Sequence, residues 1–142
     1  MGRIIKTGSA GKDRIILEKG IVLAIRELAQ QNSVDEITRD LLAYIAVSLQ
    51  AIEGTIDDSV AAWEKRGYWL KADRYRMEWI WSGKLGSEIK QAILHEDWGN
   101  VPGMIAQVTQ KLSKVEVPKR NRLGKPWVGC YQKMKNQGQH SS

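Results

Sequence analysis

Residues 63–81 read WEKRGYWLKADRYRMEWIW, and where this stretch sits decides the fold. It holds four of the six tryptophans and two of the four tyrosines, with five basic residues threaded between them. On a helix turning about 100° per residue, Trp63, Leu70, Met77 and Trp81 fall on one line. Tyr68, Ala72, Tyr75 and Trp79 fall on a second, roughly opposite, with Trp69 and Ile80 between the two. Arg74 with Glu78 and Asp73 with Arg76 are spaced for local charge pairing. A helix apolar on two faces is usually sandwiched between two partners, which makes this the central helix of a bundle. The competing reading leaves Tyr68, Tyr75 and Trp79, with Arg76, as an exposed platform for bases or for another protein. Stacking on aromatic rings holds single strands, and Trp, Tyr, Met and Arg are enriched at interfaces.

The whole chain suits either reading. At 142 residues, with an ordinary 42% apolar share, it is one domain able to bury a core. Phenylalanine is absent, so large aromatic volume comes from Trp and Tyr, which carry polar tips. Cys130 is the lone cysteine, which excludes an intrachain disulfide and a cysteine zinc site. The start, Met1-Gly2-Arg3-Ile4-Ile5-Lys6, has too short an apolar run for a signal peptide, and Lys6 breaks the myristoylation pattern. No segment approaches the roughly 18 apolar residues of a membrane span. These features point to a cytoplasmic protein with no membrane partner.

Helical patterning runs through most of the chain. Residues 1–12, rich in Gly, Lys and Arg, read as a flexible basic arm. An apolar face then extends over residues 13–31, interrupted by Gly20, a tolerated flaw or a site of close helix crossing. Ser33-Val34-Asp35-Glu36 reads as a capping box opening a second helix with Leu41, Ile45, Leu49 and Ile52 on its seam. Gly54 reads as its stop. A third helix is expected over residues 56–81, ended by Ser82, Gly83 and Gly86, then a short one over 87–95. Asn100 caps a last helix with Pro102 in its first turn. The expectation is an all-α, single-domain bundle of four to five helices over residues 13–113, with the Trp/Tyr-rich helix at its centre.

Catalytic and metal signals are weak. GSAGKD at residues 8–13 imitates a phosphate loop but has Lys6 where the first glycine belongs and Asp13 in place of the magnesium-binding hydroxyl. The two histidines, His95 and His140, lack the Glu three residues earlier that a bundle metal site uses. His95 reads as a helix C-terminal residue. Glu36 and Asp40, one turn apart, read as solvated surface carboxylates. No nucleophile is paired with a base, so no catalytic residue, cofactor or metal is assigned, and the chain reads as a non-enzyme.

The charge has a location. Residues 1–113 carry fifteen Lys and Arg against fifteen Asp and Glu, while residues 114–142 carry seven against one, which is the entire net charge of +6. The last stretch, with two prolines and no period after Val115, reads as an extended basic tail, disordered after about Met134. Lys119, Arg120, Arg122 and Lys125 suit a phosphate backbone, with Trp127 and Tyr131 stacking on bases. Alternatively, Leu123, Trp127 and Val128 pack back over the bundle while the charges face water. The leading expectation is a small accessory protein docking on nucleic acid or a ribonucleoprotein through this tail. The second is a protein–protein interaction module or homo-oligomeric subunit with an acidic protein partner. An unrecognised enzyme or a ligand carrier, with a cavity between the Trp63 and Trp79 faces, is the remaining class.

Overall fold

The computed structural model describes residues 8–119 and 123–140. These form five helices and no strand: α1 (Ala10–Leu28), α2 (Glu36–Lys65), α3 (Trp69–Leu94), α4 (Val101–Lys111) and α5 (Cys130–His140). Helix α1 opens inside the segment expected as an arm, because the Ser9 hydroxyl accepts from the Lys12 amide and caps it. Helix α2 is capped by Asp35, whose carboxylate accepts from the Thr38 amide at 2.9 Å. Ser33 contributes its backbone carbonyl instead, accepting from the Thr38 hydroxyl at 2.7 Å.

The centre of the bundle is α2, not the tryptophan-rich stretch. Residues 41–46 are buried without interruption, and Ser48, Leu49, Ile52, Ile56 and Val60 continue the burial. A helix apolar on every side must be covered on every side. Helices α1, α3 and α5 all pack against it. Gly54 does not stop α2, since Ile52, Ile56 and Val60 keep the apolar spacing across it.

The single helix expected over residues 56–81 is two. Gly67 adopts φ 82°. Its N–H donates to the Glu64 carbonyl at 3.0 Å, and the Tyr68 N–H donates to the Trp63 carbonyl at 2.9 Å. This pair of bonds with a left-handed glycine closes a helix C-terminus, and Lys65 in the last turn suits the dipole there. Conversely, Ser82, Gly83 and Gly86 end nothing: all three are buried inside α3. A Cβ on Gly86 would lie 3.0 Å from both the Ala46 carbonyl oxygen and the Leu49 Cβ, so glycine here sets how closely α3 approaches α2. Gly20 plays the same part on α1, where an added Cβ would overlap the Tyr44 hydroxyl.

The tail folds back. Trp127, Cys130 and Met134 are buried in the same core as Ile45 and Leu49, and Trp127 sets its ring edge-on to Tyr44 with centroids 6.4 Å apart. Residues 130–140 are helical where a disordered end was expected. The agent is Asp40, which is 8% exposed rather than solvated. Its two carboxylate oxygens accept from the Gly129 and Tyr131 amides, each at 3.0 Å, so α2 supplies the N-terminal cap of α5.

Asp40→Ala should strip two amides of their partner at a buried site. The expected loss is about 1–3 kcal/mol of stability by urea unfolding, with faster hydrogen exchange in α5 than in α2. Gly20→Ala should destabilise despite the better helix propensity of alanine, because Tyr44 must move. Adding Tyr44→Phe removes the clashing oxygen and should recover part of the loss; thermal midpoints of the two variants check this.

Candidate interaction surface

Two rows of side chains leave α3 in opposite directions. Ala72, Gly83 and Gly86 turn inward with Tyr75 and Trp79, because small residues there let the backbone approach α2. Trp69, Leu70, Met77 and Ile80 therefore turn outward and are 61–72% exposed. Of the expected platform, only Tyr68 stands free, at 54% exposed. Tyr75 and Trp79 are half-buried and are held by α1. The Arg14 guanidinium lies 5.7 Å from the Tyr75 ring centroid and 5.1 Å from that of Trp79, and donates a short hydrogen bond to the Tyr75 hydroxyl. Arg14 also pairs with Glu18 at 3.2 Å. Burial raises the Glu18 carboxyl above the ordinary range, Arg14 opposes that, and Glu78 adds slightly to it. Arg76 is exposed and paired, to Asp73 at 2.7 Å and Glu64 at 3.0 Å.

The corner where α2 meets α3 is concave. An open cavity of about 790 Å³ has Trp63 and Tyr75 among its lining, packed edge to face with centroids 4.9 Å apart. Tyr68, Trp69 and Leu70 line it as well. Lys71, Arg74 and Glu78 supply its charges, with the Lys71 ammonium 4.3 Å from the Trp63 ring centroid. Trp79 does not line it and instead stacks on Trp81 with centroids 5.7 Å apart. Lys65 and Arg66 stand exposed at the end of α2 beside it. None of Lys65, Arg66, Lys71 and Arg74 forms an ion pair among the described residues.

The tail candidates scatter. Lys119 and Lys125 are exposed, Trp127 is buried, and Arg120 and Arg122 lie outside the described residues. Tyr131 is half-buried between cations, 5.7 Å from the Arg39 guanidinium and 5.2 Å from the Lys135 ammonium. Arg39 also lies 5.6 Å from the Trp98 ring centroid, so it bridges α2, α5 and the turn before α4. Trp127 closes the core, and Tyr131 lies half-buried against Arg39 and Lys135. Cys130 is buried among these groups. Burial raises its thiol above the ordinary value, Asp40 adds to the shift, and Lys133 opposes it. His95 forms the C-cap of α3.

Sequence reading missed the corner, although its signal was present: Lys65-Arg66-Gly67 is a basic last turn followed by a glycine stop. No family model, no curated protein and no solved structure matches this chain. Among the described residues no helix is long and apolar enough to cross a membrane, and no group of three or more His, Cys, Asp or Glu could hold a metal ion.

Arg14→Ala should loosen α3 from α1. Stability should fall by about 1–2 kcal/mol, since a charge-assisted hydrogen bond and two ring contacts go together. Acrylamide should then quench tryptophan fluorescence more strongly than in the parent chain.

Proposed function

We propose that this chain is a non-enzymatic accessory protein that holds single-stranded nucleic acid, free or within a ribonucleoprotein, at the α2–α3 corner. One observation carries the reading: a concave surface joins two exposed aromatics, Tyr68 and Trp69, to Lys71 and Arg74, with exposed Lys65 and Arg66 next in the chain, and none of the four cations forms an ion pair among the described residues. Single strands are gripped by that combination, with rings stacking on unpaired bases and Lys or Arg neutralising the phosphates. Duplex bases offer no free face to stack on. Tyr68 and Trp69 are assigned to stacking, and Lys65, Arg66, Lys71 and Arg74 to phosphates. The cations of residues 114–142, including Lys119 and Lys125, add a local positive field that draws the strand in. This moves the expected site from tail to corner.

The test is fluorescence anisotropy of a labelled single-stranded oligonucleotide over a salt series, with the full chain. Truncation at Ser113 would remove Trp127, Cys130 and Met134 from the core, so point variants are needed. Trp69→Ala should cost about 1–3 kcal/mol of binding. Lys71→Gln with Arg74→Gln should lower the log–log salt slope by about 0.7 per lost phosphate contact. Silence of the full chain at low salt would refute the proposal. So would binding that Lys119→Gln with Lys125→Gln abolishes and the corner variants leave intact.

A further inference from the structure

The outward stripe of α3 shares Trp69 and Leu70 with the corner and runs beyond it to Met77 and Ile80. Trp69, Leu70, Asp73, Arg76, Met77 and Ile80 span roughly 120° of the helix, given about 100° per residue. Four of them are large apolar side chains at least 61% exposed, set in two pairs at either end of the stripe. Between the pairs lie one acid and one base, Asp73 and Arg76, both exposed. Large exposed apolar side chains gathered on one helix face and flanking charges mark an interaction site.

From this order of side chains we infer that the stripe binds a second copy of the chain, with the two α3 helices antiparallel across a two-fold axis. The order along α3 is apolar pair, acid, base, apolar pair. Reversing the second helix about a point between Arg74 and Tyr75 sets Asp73 of each copy opposite Arg76 of the other. The same register sets Trp69 level with the second copy's Ile80 and leaves Leu70 two residues, about 3 Å, from the level of its Met77, within reach of both side chains. Each contact then occurs twice, as a two-fold interface demands. A parallel pairing would instead place Asp73 against Asp73 and Arg76 against Arg76, and like charges so placed are strongly unfavourable. The charges thus choose the direction and the apolar pairs supply the buried surface. A partner of unrelated sequence has no reason to match this palindrome. The dimer buries Trp69 and Leu70, which also line the corner cavity, so dimer formation and a bound strand compete for Trp69.

Sedimentation equilibrium of the full chain over a concentration series tests this without nucleic acid, so it can fail while the corner reading stands, and the reverse. The parent chain should move from monomer to dimer mass as concentration rises. Asp73→Arg and Arg76→Asp should each weaken the dimer at least about tenfold, and the two together should restore most of it. Met77→Lys should give monomer while the thermal unfolding midpoint stays near that of the parent, which separates a lost interface from a lost fold. A monomer even at roughly millimolar chain would overturn the inference. A dimer unmoved by Asp73→Arg and Met77→Lys would overturn it too, as would a double variant no better than the singles.

Discussion

The structure depends on one constraint, that α2 is apolar all the way round its middle. Residues 41–46 have no polar side to give to water, so the remaining helices are arranged to cover them. Close cover requires small residues on the neighbours. Gly20 makes room for Tyr44 on one side, and Gly86 lets α3 reach the Ala46 backbone on another. The third side is closed by Trp127, Cys130 and Met134, brought in from the end of the chain. Asp40 secures that closure, because its carboxylate would otherwise be buried without partners and the first amides of α5 would go uncapped. One buried acid therefore ties the last helix to the centre.

That arrangement decides which aromatic residues are available. Helix α3 carries apolar side chains on two faces, and the face with Ala72, Gly83 and Gly86 packs tightly. The bulkier face is left outward. The same choice turns Tyr75 and Trp79 toward Arg14 and exposes Trp69, Leu70, Met77 and Ile80. The cationic corner and the palindromic stripe are both consequences of packing glycines against α2.

Much of the secondary structure was legible. The Pro102 start of α4 and the 3–4 spacing of Leu41, Ile45, Leu49 and Ile52 correspond to helices in the right places, while the cap of α2 falls on Asp35 rather than Ser33 and Asn100 precedes α4 without a side-chain cap bond. Glycine was the main source of error, because its two uses look alike in sequence. At Gly67 it supplies a left-handed φ and ends a helix. At Gly83 and Gly86 it supplies the absence of a Cβ and ends nothing. The context that separates them was partly visible: basic residues precede Gly67, whereas apolar spacing continues beyond Gly86 to Ile89 and Ile93. The candidate site was less legible. Tyr68 and the cations around it read as a surface in the sequence, but Trp69 falls between two lines that read as buried.

Sequence alone determined the helical class, the neutral body and the basic end, because these follow from local periodicity, capping chemistry and a count of charges. Tertiary structure alone decided which helix is central, which face of α3 meets water and whether residues 123–140 fold. Those outcomes depend on contacts between residues far apart in the chain, such as Asp40 with Gly129 and Arg14 with Tyr75. An acid one turn from Glu36 reads as a surface charge until the amides that it accepts from are placed beside it.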